Sequence, residues 1–154
     1  MPESYGVDRT ATGMMLTWTE LTERMALARN YWVCSTRPDG RPHAAPVWGL
    51  WMEEAFFFST DPTSRKGQNL TARPDVVVHL ESGDDVAIIE GQVERVTDAP
   101  LIERLSDAYE KKYAIRLEPS NPSYGIYVVR PRAAYGWAER DFLATATRWK
   151  FDSK

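Results

Sequence analysis

The sequence predicts a mainly β protein, an antiparallel β-barrel with a few helices. Three observations lead there. Short apolar and β-branched runs recur between turn signals, as in Tyr31–Thr36, Ala55–Thr60 and Val76–Glu81. Val86–Val96 alternates Glu90, Gln92 and Glu94 with Ile89, Gly91 and Val93, the period of a sheet with one wet and one buried face. Helical periodicity is sparse and does not alternate with the strands, which argues against a βαβ layer.

The totals bound the rest. At 154 residues the chain makes one domain, read here as a loose polar arm over 1–15 and a single folded unit over 16–154. Hydrophobic residues at 43% and charged residues at 27% are ordinary for a globular protein. A net charge of -3 leaves no global basic field for tracking nucleic acid, so any anion must meet a local basic cluster. Cys34 is the single cysteine, which excludes a disulfide framework and suits a reducing cytoplasm. No apolar run reaches membrane length, so no membrane partner is expected. Six Trp, seven Tyr and five Phe supply flat surfaces for a core, an interface or a planar ligand.

Taken in order, Thr17-x-x-Glu20 is a capping box with Leu16 and Leu21 as its hydrophobic staple, opening a helix to about Arg29. Tyr31–Thr36 reads as a strand, and Arg37-Pro38-Asp39-Gly40 turns the chain. The return through Pro42–Trp51 holds Pro42 and Pro46, which cannot donate ladder bonds, so this strand is irregular or lies at an edge. Ala55–Thr60 follows after a Glu53-Glu54 turn. Asp98 caps a helix with Ile102, Leu105, Tyr109 and Tyr113 on one side and an Asp107–Lys111 pair on the other. Tyr124–Arg130 and Arg132–Trp137 read as two strands separated by Pro131. The tail Thr145–Phe151 alternates, with Thr145, Thr147, Trp149 and Phe151 on one face.

The most informative stretch is Asp61-Pro62-Thr63-Ser64-Arg65-Lys66-Gly67-Gln68-Asn69-Leu70. Asp61 and Pro62 suit a helix opening, as cap and first-turn proline. Arg65 and Lys66 then fall in the first turn, where the helix end is already partly positive and two cations are unfavourable. Free amides, the Ser64 hydroxyl and two cations together describe a phosphate site. A solvated basic turn is the other reading, and this segment alone leaves both open. Elsewhere there is no nucleophile elbow, no nucleotide-binding glycine loop and no histidine pair at zinc spacing, since His43 and His79 lie on different strands. A chain poor in catalytic side chains that carries a phosphate pocket either binds without reacting or takes its chemistry from a cofactor.

The order of these segments carries a resemblance. The Thr36–His43 hairpin, then Ala45-Pro46-Val47-Trp48, then Phe58-Ser59-Thr60 leading to Ser64-Arg65-Lys66-x-x-Asn69-Leu70, resembles the pyridoxamine 5′-phosphate oxidase-like split β-barrel superfamily, with its FMN-binding-protein-like fold. Together with Thr147-Arg148-Trp149-Lys150-Phe151, it is most similar to the flavin/deazaflavin oxidoreductase branch, from about Leu16 to Phe151. The resemblance implies a homodimer with two cofactor sites at the subunit interface and a small-molecule substrate. It implies that Ser64, Arg65 and Lys66 hold the cofactor phosphate with Asn69 nearby, and that Ala45, Pro46, Val47 and Trp48 line a tricyclic ring. Ser59 and Thr60 would lie along the ribityl chain, and Arg148 and Trp149, with Trp137, would come from the partner. The expected cofactor is the deazaflavin F420, with FMN as the alternative; a non-catalytic cofactor carrier and a haem-binding split barrel are the further alternatives. Pyridoxamine phosphate oxidases place Arg-x-His near the C-terminus, whereas this chain reads Arg148-Trp149-Lys150, which argues against vitamin B6 oxidation.

Overall fold

A computed structural model describes residues 15–151, so the expected N-terminal arm lies almost wholly outside the described residues. Eight antiparallel strands form one curled sheet in the order β2-β1-β5-β6-β7-β4-β3, with β8 also pairing to β7. The strands are β1 (Tyr31–Thr36), β2 (Pro42–Val47), β3 (Gly49–Met52), β4 (Ala55–Thr60), β5 (Asp75–His79), β6 (Asp85–Arg95), β7 (Gly125–Ala138) and β8 (Thr147–Lys150). Four helices, α1 (Trp18–Leu27), α2 (Arg65–Ala72), α3 (Ala99–Tyr113) and α4 (Phe142–Thr145), complete the expected mainly β, split-barrel architecture.

Alternation along the strands divides the molecule into an interior and an outer face. Tyr31, Val33, Phe56, Phe58, Val78, Ile89 and Val129 fill the interior with Leu21 and Met25 of α1. A second cluster, Leu50, Phe57, Leu105, Leu117, Ile126 and Val128, seats α3 against β3, β4 and β7. The capping box opens α1 as expected, with Thr17 and Glu20 bonded reciprocally and Leu16 and Leu21 both buried. The helix stops two residues early, at Leu27, because Ala28 turns to extended backbone.

Four further expectations are corrected. The stretch Pro42–Trp51 is two strands, and they occupy opposite ends of the sheet path. The break comes at Trp48–Gly49, where α3 takes over the backbone bonding: the Tyr113 hydroxyl accepts from the Gly49 amide at 3.0 Å, and Lys112 Nζ donates to the Gly49 carbonyl at 3.0 Å. The two strands expected around Pro131 are one strand of 14 residues. Pro131 sits opposite Gly91 at a register shift in the β6–β7 ladder, where β7 carries one extra residue, Arg132, and the missing proline donor is absorbed. Asp107 does not pair with Lys111; Arg116 gathers Glu103, Asp107 and Glu110 at 2.8–3.1 Å instead. Thr145 closes α4 instead of beginning the last strand, its hydroxyl donating to the Asp141 carbonyl at 2.7 Å.

Candidate functional site

The first turn of α2 is built differently from the sequence expectation, and the difference matters. Ser64, not Asp61, caps the helix, accepting from the Gly67 amide at 3.1 Å. Asp61 instead folds the preceding loop, accepting from the Thr63 amide and hydroxyl at 2.8 and 2.7 Å. Gly67 lets this loop lie against the helix, since a Cβ there would fall 2.4 Å from the Asp61 carbonyl oxygen. Arg65 and Lys66 therefore occupy the first two helical positions, at the positive end of the helix dipole.

Helix α2 packs on β1 through Asn69, which is fully buried and donates to Ser35 Oγ at 3.3 Å. Ser35 stands opposite His43 across the β1–β2 ladder, so His43 faces the same side of the sheet. This register brings three cations around one imidazole. Burial, and then the charges of Arg37, Lys66 and Arg65, hold His43 below the ordinary histidine value. Burial also lowers the Lys66 ammonium. Among the described residues Arg65 and Lys66 form no ion pair, and neither Arg37 Nε nor His43 Nδ1 has a hydrogen-bond partner although both are buried. Asp39, whose carboxyl is lowered chiefly by the Arg41 amide, feels Arg37 and Arg65 but is bonded to Arg41 at 2.9 Å. The cluster has the composition of an oxyanion pocket: positive, partly dry and not neutralised by its own carboxylates. Arg37 and His43 were missed by the sequence reading; the β1–β2 hairpin register was the signal that could have placed them.

The other predicted site residues are spread over the sheet. Thr60 reaches the α2 turn directly, its hydroxyl lying 3.4 Å from Ser64 Oγ. Ala45 is half-buried on β2, Pro46 is exposed opposite Trp32, and Val47 is buried in the interior. Trp48 turns toward α3, stacking on Tyr113 at 4.6 Å with Arg29 over its ring. Ser59 lines a pocket of about 250 Å³ with Trp48, Thr60 and Tyr109. Arg148 lies at the far side of the sheet, four strand spacings or about 19 Å from β1 along it. Trp149 packs inward against Trp18 at 5.5 Å, and Trp137 meets Phe142 edge-on. These last three do not join the α2 cluster within one chain.

The outer face offers what a second chain could use. Pro46, Trp32, His79, Ile88, Tyr135 and Arg148 form one row across six strands, with Trp32 stacked on His79 at 6.4 Å. Beside it runs a groove of about 500 Å³ lined by Cys34, Thr36, Pro42, Glu90 and Arg132. No group of three or more metal-ligating side chains occurs among the described residues. No helix among them is long and apolar enough to cross a membrane.

An imidazole held low by neighbouring cations should respond to an anion placed among them. In an NMR titration of the free protein, His43 is expected to titrate below about 6.5, and sulfate, a dianion throughout the range, should raise that value. A His43 titration indifferent to sulfate would put the anion elsewhere.

Comparisons with known proteins agree with this fold. The fold is shared with a conserved hypothetical protein from Mycobacterium tuberculosis, at 20% identity and a TM-score of 0.71, covering 82% of this chain and 88% of that one. It is also shared with an F420 reductase, at 24% identity and a TM-score of 0.58, over 73% of this chain and 94% of the other. A haem-binding protein from Mycobacterium smegmatis matches at 14% identity and a TM-score of 0.66, over 84% of this chain and 55% of its own. No curated protein matches the chain. Residues 18–138 match the family model described as pyridoxamine 5′-phosphate oxidase, and the chain belongs to that family.

Proposed function

We propose that the protein is an oxidoreductase that uses the deazaflavin F420 and acts on a small, planar, conjugated substrate. The observation that carries this reading is the set of three cations, Arg37, Arg65 and Lys66, none of them in an ion pair among the described residues, around the half-buried His43 imidazole beside the start of a helix. An anionic phosphate ester meets that requirement, and the family supplies oxidoreductases that bind such cofactors.

When bound, the cofactor supplies hydride chemistry that no side chain here can provide. The chain's own contribution is binding and orientation. Lys66 and Arg65 neutralise the phosphate, the α2 amides donate to it, and Ser64 and Thr60 shape the approach of the ribityl chain. Asn69 acts from behind, tying α2 to Ser35 and fixing where the cations stand. Ala45 and Pro46 on the edge strand β2 leave room beside the backbone for a flat ring. The protein acts as a homodimer in this reading, the row from Trp32 to Tyr135 meeting a second copy that contributes Arg148 and Trp137, with Trp149 packed inward behind Arg148. Membership of the pyridoxamine 5′-phosphate oxidase family and the likeness to an F420 reductase support the choice.

Parallel titrations of cofactor-free protein with F420 and with FMN test it. F420 should bind more tightly, and the bound, reduced form should be reoxidised by at least one conjugated acceptor. Clear preference for FMN overturns the cofactor, and failure of every acceptor in a broad panel overturns the enzymatic reading in favour of a carrier.

A further inference from the structure

The pocket of about 250 Å³ between the end of β4 and α3 has a wall that the phosphate site does not explain. Trp48, Tyr109 and Tyr124 supply three aromatic faces, with Ile115 and Leu117 completing the apolar lining and Ser59 in the lining as well. Trp48 stacks on Tyr113 at 4.6 Å with only 6° between the planes, while Tyr109 leans on Tyr113 at 4.8 Å. Two phenol groups belong to the lining, those of Tyr109 and Tyr124; burial, and then the neighbouring phenols of Tyr113 and Tyr124, raise the Tyr109 hydroxyl above the ordinary tyrosine value. Neither lining phenol donates a hydrogen bond among the described residues, in contrast to Tyr113, whose hydroxyl is engaged with Arg29 and Gly49.

Size and charge narrow the occupant. A cavity of about 150 Å³ holds benzene, so this one takes a ring carrying a modest substituent. The charged groups at the pocket are Asp61 and Arg116, and Arg116 is already shared among Glu103, Asp107 and Glu110. That surplus of carboxylates repels an anionic ring. Donors without acceptors ask for an acceptor on the ligand, such as a carbonyl oxygen.

We propose that this pocket binds a small uncharged aromatic compound bearing a carbonyl-type acceptor, its ring against Trp48 and its acceptor held by the hydroxyls of Tyr109 and Tyr124. The inference goes beyond the cofactor reading and does not rest on it, because its aromatic wall is Trp48, Tyr109 and Tyr124 rather than the cations of α2. If F420 is held at Ser64–Lys66, the Thr60–Ser64 contact makes the two sites neighbours.

Benzamide is the test compound, with benzoate as the charged counterpart and toluene as the ring without an acceptor. In cofactor-free protein, benzamide should shift the Trp48 indole NMR signal saturably, and benzoate should bind at least tenfold more weakly. Tyr109→Phe and Tyr124→Phe keep both rings and remove the donors. Each should weaken benzamide about fivefold while leaving toluene unchanged. Ser123→Trp, on the loop at the mouth, should block both compounds. Absence of a saturable Trp48 shift up to 20 mM overturns the proposal, as does equal binding of benzamide by wild type and both Phe variants. Competition between benzamide and F420 also overturns it, by making this pocket the ring slot of the cofactor, and would leave the proposed oxidoreductase reading intact.

Discussion

Replacing Lys66 with alanine should weaken binding of the ribityl-phosphate cofactor by about 1.5–3 kcal/mol, roughly 10- to 150-fold in dissociation constant. The range is that of a hydrogen bond to a charged group. It applies here because Lys66 is half-buried and unpaired, so its charge is poorly screened by water. Arg65 is exposed at the neighbouring position, and its replacement should cost less. The pH dependence has a definite sign. Burial lowers the Lys66 pKa in the free protein, and a bound phosphate favours its charged form. Cofactor affinity should therefore fall as pH rises through the lowered Lys66 value, and that alkaline fall should vanish in Lys66→Ala. Calorimetric titrations of both proteins across neutral to alkaline pH measure both effects. Equal affinities would remove Lys66 from the site and leave the α2 turn a solvated basic surface.

The hidden partners of that turn show what the sequence could and could not convey. Arg65 and Lys66 were visible because two cations at a helix start conflict with local electrostatics, and such a conflict can be read from adjacent residues. Arg37 and His43 were not, because they reach the site through a ladder register, Ser35 opposite His43, that links residues 8 positions apart in the chain to a helix 22 positions further on. The same limit explains Trp48. Its place among apparent strand residues suggested a sheet position, but the bonding of Gly49 by Tyr113 and Lys112 ends the strand there, and those partners lie 63 or 64 positions away. Local capping rules located α1 and α3 well. At α2 they chose the wrong cap, because Asp61 and Ser64 are both good cap residues and only the Gly67 close approach decides between them. Pro131 misled for a related reason: a proline normally ends a strand, yet the bulge that lets β7 continue past it, with Arg132 as the extra residue, is set by pairing to β6 and has no sequence mark of its own.

Phe56→Ala should destabilise the fold by about 3–5 kcal/mol, the range for removing a large buried aromatic side chain. For a domain of this size that is a fall in melting temperature of roughly 6–20 °C. Phe56 is fully buried in the interior cluster, tilted on Tyr31 at 4.7 Å and stacked on Phe58 at 5.7 Å. Its ring also presses on Gly49, where an added Cβ would lie 2.4 Å from it, so neighbouring backbone has little freedom to collapse into the void. The loss should reach the sites as well. Tyr31 accepts from Lys112 at 2.8 Å, and Lys112 in turn holds Gly49, which sets the direction of Trp48. A cavity behind Tyr31 loosens this chain of contacts at the β2–β3 break. Thermal denaturation followed by circular dichroism measures the first effect, and the Trp48 indole signal reports the second. A melting temperature within 2 °C of wild type would mean that the interior does not close on Phe56, and the positioning of Trp48 would then need another cause.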